Sequence, residues 1–316
     1  MNISDLKVLV LGGNGFIGSH LVDALIAQGC TIKIFDQAHP ISPNYINSKH
    51  IQYIQGDFTS ERDIANALEG CDVCFHLIST VLPKTSNLDP IFDIETNLTG
   101  SVRLLNQAVK AGIKKIIFLS SGGTVYGTPL HIPIDEHHPT NPICSYGITK
   151  LAIEKYLSLY QQLYGLNYTV MRLSNPFGER QRTCSTQGAV AVFLGKTLRK
   201  EIIEIWGDGS VIRDYIHISD VISAMIKSIT YEGKERVFNI GSGHGISLNK
   251  VLNEIENVTE IKVNRKYTEG RTFDVPTSIL SIDRAVQELH WMPALTFTQG
   301  LIRMVDWIKE IQPCPL

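Results

Sequence analysis

A tyrosine and a lysine four residues apart, Tyr146 and Lys150, are the side chains in this sequence best suited to acid–base chemistry. The segment Ser145–Lys150 opens a helical pattern, and a spacing of four places the phenol and the ammonium on one helix face. A free tyrosine, with a pKa of about 10, is a poor base at neutral pH. A neighbouring Lys⁺, together with a second positive charge, stabilises the phenolate and lowers that pKa. Because the same spacing also occurs by chance between surface residues, it indicates catalysis only beside a second motif.

That second motif is a glycine-rich turn directly after the first apolar segment. The glycines form the pattern G-x-x-G-x-x-G, and a helical pattern then runs to about Gln28. Such a turn lets the backbone approach a pyrophosphate, whose oxygens bind the free N–H groups of the helix N-terminus. A strand before the turn and a helix after it make the pattern specific for a dinucleotide. The loop residues predicted to contact that cofactor are Gly12, Asn14, Gly15, Phe16, Ile17 and Gly18.

An acidic residue, Asp36, ends the second apolar segment. A carboxylate there accepts hydrogen bonds from the adenosine ribose and repels a 2′-phosphate, which favours NAD over NADP. The alternative is an aspartate that caps a turn at a strand end. Asp57, after the third segment, is expected near the adenine. His76 and Ser79 follow the fourth segment and are expected near the cofactor, although a hydrogen-bonded core histidine is the alternative for His76.

Short apolar segments alternate with helical patterns over the first half of the chain. The segments are continuous apolar runs, which is typical of a parallel sheet covered on both faces. The predicted strands are Lys7–Leu11, Thr31–Phe35, Ile51–Gln55, Val73–Leu77, Lys115–Ser120 and Asn167–Leu173, and the longest predicted helices are Asp89–Ala111 and Ser145–Tyr164. This order predicts an α/β fold with a doubly wound parallel sheet of the Rossmann type.

The sequence changes character after Leu173, where loops rich in Gly, Pro, Asn and Arg replace the regular alternation. Shorter elements follow, and the last is an amphipathic helical pattern over Thr298–Ile311. We therefore predict two lobes. Residues 1–173 would form the dinucleotide-binding domain, and residues 174–316 would form mainly a smaller α/β substrate lobe, with some segments returning to the large sheet.

The composition is that of an ordinary globular enzyme. Hydrophobic residues make up 43% of the 316 residues and charged residues 19%, and the net charge of −2 gives no basis for binding nucleic acid or an anionic membrane. No segment reaches the roughly 20 apolar residues of a membrane span, and the N-terminus does not resemble a signal peptide, so we expect a cytoplasmic protein. Cys71 and Cys74 are closely spaced, but no second ligand pair completes a zinc site. We expect no metal and predict that both cysteines are small core residues.

With these motifs, the chain resembles the extended short-chain dehydrogenase/reductase family, in the sugar-nucleotide branch that includes the UDP-hexose 4-epimerases. The resemblance covers essentially the whole chain, and several motifs are specific to this branch. The matching stretches are Gly12–His20, Gly56-Asp57, Asn97–Gly100, Ser120–Gly127, Tyr146–Lys150, Arg172–Gly178, Arg213–His217, Asn239–Gly241 and Arg271–Pro276.

The resemblance implies a tightly held NAD and inversion of C4 of a UDP-hexose or UDP-N-acetylhexosamine through a 4-keto intermediate. Tyr146 would take the proton of the sugar hydroxyl, and Lys150 would also hold the nicotinamide ribose. Further implied contacts are Asp57, Phe58, Leu77, Ser79 and Asn97 to the cofactor, and Asn175, Arg213, Arg271 and Asp274 to the UDP-sugar. Arginine forks match phosphate oxygens, although a surface ion pair is the alternative for each arginine.

The resemblance also implies a homodimer packed through the two long predicted helices. Leu151, Leu159 and Tyr160 would lie at that surface, with burial in the cofactor domain as the alternative. A role in supplying surface polysaccharide is a further expectation of the same kind.

One hydroxyl expected from the family is missing. The family places Ser or Thr four residues before the tyrosine of Val125–Gly127, and here that residue is Gly122. Thr124 is on the same side as Gly122 if the backbone stays extended, so we prefer it as the substitute. Ser121 can serve only if the glycines redirect the loop. Related 4,6-dehydratases carry an acid at the position of Thr124, and its absence argues against dehydration.

The size of the sugar is suggested by Ser278, at a position where some relatives have a large aromatic residue. A serine leaves room beside C2 of the sugar, which predicts that N-acetylated substrates are accepted. Two other functions stay open: a nucleotide-sugar oxidoreductase such as a 4-keto reductase using free NAD(P)H, and a dinucleotide-sensing protein without activity. Gly122 favours the sensor, whereas the intact Tyr146 and Lys150 argue against it.

Overall fold

The computed structural model of the chain describes residues 2–38, 49–185, 187–270 and 275–311. Within them the largest element is a seven-stranded sheet whose neighbouring strands all run parallel. Its strands are β1 (Lys7–Leu11), β2 (Thr31–Asp36), β3 (Ile51–Gln55), β4 (Val73–His76), β5 (Lys115–Ser121), β6 (Asn167–Leu173) and β10 (Val237–Ile240). They follow one another across the sheet in the order 10-6-5-4-1-2-3, so the direction of winding reverses between β1 and β4. Ligands of such sheets bind at the carboxyl ends of the strands beside this reversal.

The inner strands are apolar on both faces because helices cover both sides of the sheet. Every residue of β4 is buried, and β1 and β6 are each exposed or half-buried only at their first residue. The edge strand β3 instead mixes half-buried and exposed positions. This is the burial expected of continuous apolar runs in a parallel sheet.

The helices divide between the two faces of the large sheet and the smaller lobe. They are α1 (Phe16–Ala27), α2 (Glu61–Leu68), α3 (Pro90–Asp93), α4 (Gly100–Ala111), α5 (Ser145–Tyr164), α6 (Ala189–Leu198), α7 (Ile218–Ile229), α8 (Leu248–Thr259), α9 (Asp283–Leu289) and α10 (Phe297–Ile311). A π-helical turn, Ile94–Thr99, joins α3 to α4. The apolar sides of α1 and α7 pack on one face of the sheet, and those of α2, α4 and α5 pack on the other.

Two small sheets stand beside the carboxyl ends of the large one. Their strands are β7 (Asn175–Phe177), β8 (Ile203–Trp206), β9 (Ile212–His217), β11 (Gly245–Ser247), β12 (Arg265–Thr268) and β13 (Thr277–Ser278). In the first sheet β9 pairs with β7, β11 and β13, and in the second β8 pairs with β12. A separate apolar core joins β7, β8, β9 and β11 to α6, α8 and α10.

The predicted fold class, an α/β fold with a doubly wound parallel sheet, is confirmed. The six predicted strands agree with the structure to within one residue at each end, and β10 is an additional strand that the sequence analysis did not identify. The predicted helix Asp89–Ala111 is interrupted by the π-helical turn.

The predicted placement of two cysteines is also confirmed, because Cys71 and Cys74 lie in the core. No helix among the described residues is long and apolar enough to cross a membrane. The division at residue 173 stays a prediction.

Candidate active site

Tyr146 and Lys150 lie in the first two turns of α5 and line a cavity of about 830 Å³ between the large sheet and the smaller lobe. The Lys150 Nζ lies 5.6 Å from the centre of the Tyr146 ring. It donates a hydrogen bond to the carbonyl oxygen of Leu119 at 2.9 Å, near the end of β5. The predicted pair is therefore brought together on one helix face and tied to the carboxyl end of the sheet.

Burial governs the ionisation of both groups. It raises the pKa of the Tyr146 phenol, and the neighbouring Cys144 and Asp93 add to that effect. Burial lowers the pKa of Lys150 to about 8, although Asp93 and Glu154 act in the opposite direction. The predicted lowering of the tyrosine pKa is thus not a property of the protein groups alone. The positive charge of a bound cofactor would lower it.

The end of β5 decides which hydroxyl faces the cavity. The chain does not stay extended after Ser121, because the N–H groups of Thr124 and Val125 both donate to the Ser121 carbonyl oxygen, at 3.4 and 3.1 Å. The premise on which Thr124 was preferred is therefore wrong. Ser121 and Thr124 both line the cavity, but the Thr124 Oγ1 is enclosed and has no hydrogen-bond partner among the described residues.

Gly122 owes its identity to packing. A Cβ atom at this position would lie 2.6 Å from Cδ1 of Leu280 and 3.1 Å from the carbonyl oxygen of Arg172. The space that a family serine or threonine would need is therefore filled by Leu280. The chain turns at Gly122 and Gly123, directly after Ser121. The prediction that Ser121 serves as the substitute hydroxyl depends on such a turn.

The glycine-rich turn has the geometry of a phosphate-binding loop. Gly12 has φ +81°, which favours glycine, and a Cβ on Gly18 would lie 2.2 Å from the Gly12 carbonyl oxygen. The first turn of α1 therefore packs directly on the loop. Phe16 and Ile17, at the start of α1, line the cavity. The Asn14 N–H donates to the Asp36 carboxylate at 3.0 Å, which joins the loop to the end of β2.

The other residues predicted to contact the cofactor differ in where their side chains lie. Leu77 and Ser79 line the cavity, and Asp57 is exposed with its carboxylate accepting from the Thr59 N–H at 2.8 Å. The Phe58 side chain is instead in the core, so a contact from it has to come from the backbone. Asn97 is not among the described residues that line the cavity. Its side chain binds Thr80 and Asp93, and its contact with the cofactor stays a prediction.

His76 is a core residue. Its Nε2 lies 2.8 Å from the Ser101 hydroxyl, and the rings of Phe58 and Phe118 flank it. Burial, followed by the charge of Lys150, lowers its pKa to about 3. It is therefore neutral throughout the physiological range. The alternative prediction for His76, a hydrogen-bonded core histidine, describes its position.

The predicted substrate residues lie opposite Tyr146 in the smaller lobe. Asn175 on β7 and Arg213 on β9 both line the cavity. Arg213 donates from Nη1 to the carbonyl oxygens of Ile212 and Val275, at 2.9 and 2.6 Å, which holds its guanidinium against the sheet. Ser278 is only 8% exposed and is not among the described cavity-lining residues. Arg271 and Asp274 lie outside the described residues.

Sequence reasoning missed a buried ion pair behind the catalytic helix. Glu154 on α5 pairs with Arg172 on β6 at 2.6 Å, and its other oxygen accepts from the Ser120 hydroxyl at 2.5 Å. Glu154 lies four residues after Lys150, on the same helix face, and this spacing could have identified it. The pair fixes α5 to two strands of the sheet.

The site can hold a dinucleotide. The start of α1 would hold the phosphates, Asp36 the adenosine ribose, and Lys150 the nicotinamide ribose.

Comparison with known proteins decides the family. Residues 8–241 match the model of the family described as "NAD dependent epimerase/dehydratase family". The chain belongs to this family. The use of NAD and the sugar-nucleotide branch predicted from the sequence are confirmed.

Two similar proteins carry the names of enzymes that catalyse different types of reaction, an epimerase and a reductase. A putative UDP-glucose 4-epimerase of Methanocaldococcus jannaschii is 34% identical over 96% of this chain and 98% of its own. A dTDP-4-dehydro-6-deoxyglucose reductase of Escherichia coli is 33% identical, with 96% of each chain covered.

Two solved structures share the whole fold. The UDP-glucose 4-epimerase of Thermotoga maritima, with UDP-glucose, has a TM-score of 0.91 and 34% identity over 97% of this chain and 99% of that one. The UDP-N-acetylglucosamine 4-epimerase of Methanobrevibacter ruminantium, in complex with UDP-N-acetylmuramic acid, has a TM-score of 0.90 and 30% identity over 98% and 99%.

Proposed function

We propose that this protein is an NAD-dependent 4-epimerase of UDP-hexoses, which inverts C4 through a transient 4-keto sugar. The observation that carries the proposal is that Tyr146 and Lys150 line the same cavity as Asn175 and Arg213. An acid–base pair and a polar, cationic wall share one space, as oxidation of a sugar attached to a diphosphate requires. The names of the relatives support the same reaction.

The protein groups have distinct tasks in this reaction. When bound, NAD supplies the two-electron chemistry, because it accepts a hydride from a sugar carbon and can return it. Tyr146 takes the proton of the C4 hydroxyl during oxidation and gives it back during reduction, and general acid–base catalysis of this kind contributes roughly 10²–10⁴-fold. Lys150 supports the phenolate. Asn175 and Arg213 bind the diphosphate, so the hexose is free to turn and present its other face.

The lining of the cavity argues against dehydration. Among the described residues that line it, the one acid is Glu204, which lies on β8 and is 3.9 Å from Lys266. No carboxylate accompanies Thr124 at the end of β5. Loss of water from the sugar needs an acid or base beside the reacting carbons, and beside Tyr146 and Lys150 this wall offers hydroxyls but no carboxylate.

A 4-keto sugar reductase is the second candidate, because one relative of similar identity is a reductase. Such an enzyme would need the same Tyr146 and Lys150 but would exchange its cofactor at every turnover. Turnover without added NAD favours the epimerase, and consumption of NADH in proportion to product favours the reductase.

The substrate panel tests the proposal. Purified protein is incubated without added cofactor with UDP-glucose, UDP-galactose and their N-acetylated counterparts, and each product is identified from proton coupling at C4. We expect interconversion of C4 epimers, with Tyr146→Phe as the inactive control. Absence of C4 inversion with all four sugars would overturn the proposal.

We propose that N-acetylated sugars are among the substrates. The small Ser278 supports this, as does the name of the Methanobrevibacter relative. Ser278 is buried on β13 next to Arg213 of β9, which lines the cavity, so we expect a large residue at position 278 to crowd Arg213 and the space beside it. We expect Ser278→Tyr to abolish turnover of the N-acetylated pair and to spare the plain pair. Equal loss for both pairs would contradict this explanation.

We propose that the protein is a homodimer built on an exposed apolar stripe of α5. Ile148, Tyr156, Leu159 and Leu163 are exposed and fall on one side of this helix, and Ile91 and Phe92 of α3 are exposed as well. Of the residues predicted for this surface, Leu159 belongs to the stripe. Tyr160 is buried and Leu151 is half-buried against a core cluster, as the alternative of burial in the cofactor domain predicts.

We also propose a cytoplasmic location and a role in supplying polysaccharide precursors. Both rest on the type of reaction and on the family resemblance.

A further inference from the structure

The helix that carries Tyr146 begins without a cap of its own. Cys144, at the N-cap position of α5, makes no side-chain hydrogen bond to the helix. A segment about sixty residues earlier supplies the caps instead. The Asn87 Oδ1 accepts from the Ser145 N–H at 2.8 Å, and the Ser86 Oγ accepts from the Tyr146 N–H at 3.1 Å. The position of Tyr146 therefore depends on the segment between β4 and α4.

Asp93, the last residue of α3, is the buried anchor of this segment. Its side chain has no solvent exposure, and its Oδ2 accepts from the Ser145 hydroxyl at 2.7 Å. Its Oδ1 accepts from Nδ2 of Asn97 at 3.0 Å. A side-chain NH₂ can only donate, so the bond from Asn97 fits a carboxylate oxygen. Burying a carboxylate is costly unless it is hydrogen-bonded, and the bonds from Ser145 and Asn97 supply that compensation.

The bonds of Asp93 continue to the wall of the cavity. The Asn97 Oδ1 accepts from the Thr80 N–H at 2.9 Å, and its Nδ2 donates to the Thr80 Oγ1 at 2.7 Å. Thr80 follows Ser79, which lines the cavity beside the end of β4. One buried carboxylate thus connects the cofactor side of the cavity with the residue directly before Tyr146.

The charge of Asp93 also acts on the catalytic pair. It raises the pKa of Lys150, against the larger effect of burial, and so favours the ammonium form. The other groups that face the pair are Glu154, which also favours the ammonium, and Cys144, which like Asp93 raises the pKa of Tyr146. A neutral residue at position 93 would keep the packing but lose this support.

We propose that Asp93 is a positioning residue of the active site, which fixes the first turn of α5 and with it the Tyr146 phenol relative to the cofactor. It acts through Ser145 and Asn97 and touches neither substrate nor cofactor. This inference rests on the proposed function.

The test compares Asp93→Asn with Ser145→Ala and with the double variant. Asp89→Asn is the matched control, because Asp89 is exposed in the same segment and caps α3 through the Phe92 N–H without reaching Ser145. Steady-state kcat and KM are measured on protein purified with its NAD, together with the thermal midpoint and the bound NAD per chain.

We expect Asp93→Asn to lower kcat about tenfold or more and to leave KM for the UDP-sugar within about twofold, since small misplacement of a reacting group costs rate rather than binding. The double variant should lose less than the product of the two single losses, because Ser145→Ala removes the hydroxyl through which Asp93 acts. Asp89→Asn should keep the wild-type kcat. A wild-type kcat for Asp93→Asn, or losses that multiply in the double variant, would overturn the proposal.

If Asp93→Asn fails to fold, Ser145→Ala decides. Loss of its hydroxyl leaves the caps from Ser86 and Asn87 in place and should still lower kcat by about threefold, the effect of one hydrogen bond. A wild-type kcat for Ser145→Ala would then overturn the proposal.

The first half-reaction separates failure of this inference from failure of the proposed function. Reduction of the bound nicotinamide by the sugar is followed from its near-ultraviolet absorbance. If the sugar reduces the NAD bound to the wild-type protein but C4 is not inverted, the epimerase proposal fails. Even then, we expect the bound NAD to be reduced more slowly in Asp93→Asn than in the wild type. Equal reduction rates in wild type and Asp93→Asn would refute the role of Asp93 alone.

Discussion

At the scale of single residues, the chemistry of this protein depends on how one loop directs its hydroxyls. The family serine or threonine is absent at Gly122, and Leu280 fills its space. The turn that follows Ser121 leaves the Thr124 hydroxyl enclosed. We therefore propose that Ser121, and not Thr124, donates to the reacting sugar oxygen.

The two hydroxyls can be separated by matched variants. Ser121→Ala should lower kcat by about 10²-fold, since loss of one donor to a developing oxyanion costs roughly 10²–10³-fold. Thr124→Val keeps the shape of the side chain and should change kcat by less than about threefold. Steady-state kinetics on the preferred UDP-sugar measure both, and the opposite order of the two losses would restore Thr124.

The sequence could predict that Tyr146 and Lys150 lie together and that Asp36 ends β2 beside the glycine turn, because each belongs to a motif of fixed spacing. It could not identify the outcome at Gly122, because Leu280 meets that position from more than 150 residues away in the chain. Asp93 was missed for a similar reason. Its partners come from the π-helical turn and from α5, and no local pattern marks them.

At the scale of elements, the glycine loop and α1 act as one cofactor-binding unit. A methyl group on Gly18 would clash with the backbone oxygen of Gly12, which no side-chain rotation can relieve. We expect Gly18→Ala to lose bound NAD and to cost about 1–3 kcal/mol of unfolding free energy.

Denaturant unfolding and the NAD content of the purified protein measure these effects. Gln28→Ala, at the exposed far end of α1, is the control and should change neither quantity. Full NAD occupancy in Gly18→Ala would contradict the close packing of loop and helix.

The elements themselves were largely predictable, because buried parallel strands and amphipathic helices leave strong periodic patterns. The strand β10 was not, since it is only four residues long and lies far from the other strands of its sheet in sequence. The π-helical turn Ile94–Thr99 was also missed. It carries Asn97 and aligns it with Thr80 and Asp93, a tertiary requirement that helical periodicity does not record.

At the scale of the whole molecule, the exposed stripe of α5 predicts a dimer. Leu159→Glu should give monomers, because a carboxylate cannot be buried in an apolar contact without a partner. Sedimentation velocity measures the change. Ile302→Glu on α10 is the matched control, since Ile302 is 43% exposed and Leu159 is 41% exposed. If Leu159→Glu and Ile302→Glu have the same oligomeric state, the proposed dimer surface is wrong.

A contact between an acid and a histidine within the predicted smaller lobe, Glu179 and His217, predicts a pH dependence of stability. Glu179 lies 3.2 Å from Nε2 of His217, at the start of α7. Burial by itself would raise the pKa of Glu179, but the bonds from His217 and a backbone N–H bring it down to about 2. A lowered pKa means that the contribution to stability is present above the ordinary value of 4.5 and is lost as the pH falls toward 2.

Thermal or denaturant unfolding between neutral pH and pH 3 tests this. Glu179→Gln should be less stable than wild type at neutral pH and should lose less stability on acidification. Parallel curves for the two proteins, offset or not, would contradict the assigned pKa.

The central claim is that Tyr146 and Lys150 serve a resident NAD, which takes the hydrogen of C4 and returns it to the other face of the same carbon. The most direct measurement uses a UDP-hexose deuterated at C4, incubated with purified protein without added cofactor. The account predicts a C4 epimer that keeps its deuterium at C4, with no NADH released. An inverted product that carries solvent hydrogen at C4, or a reaction that proceeds only as NADH is consumed, would contradict it.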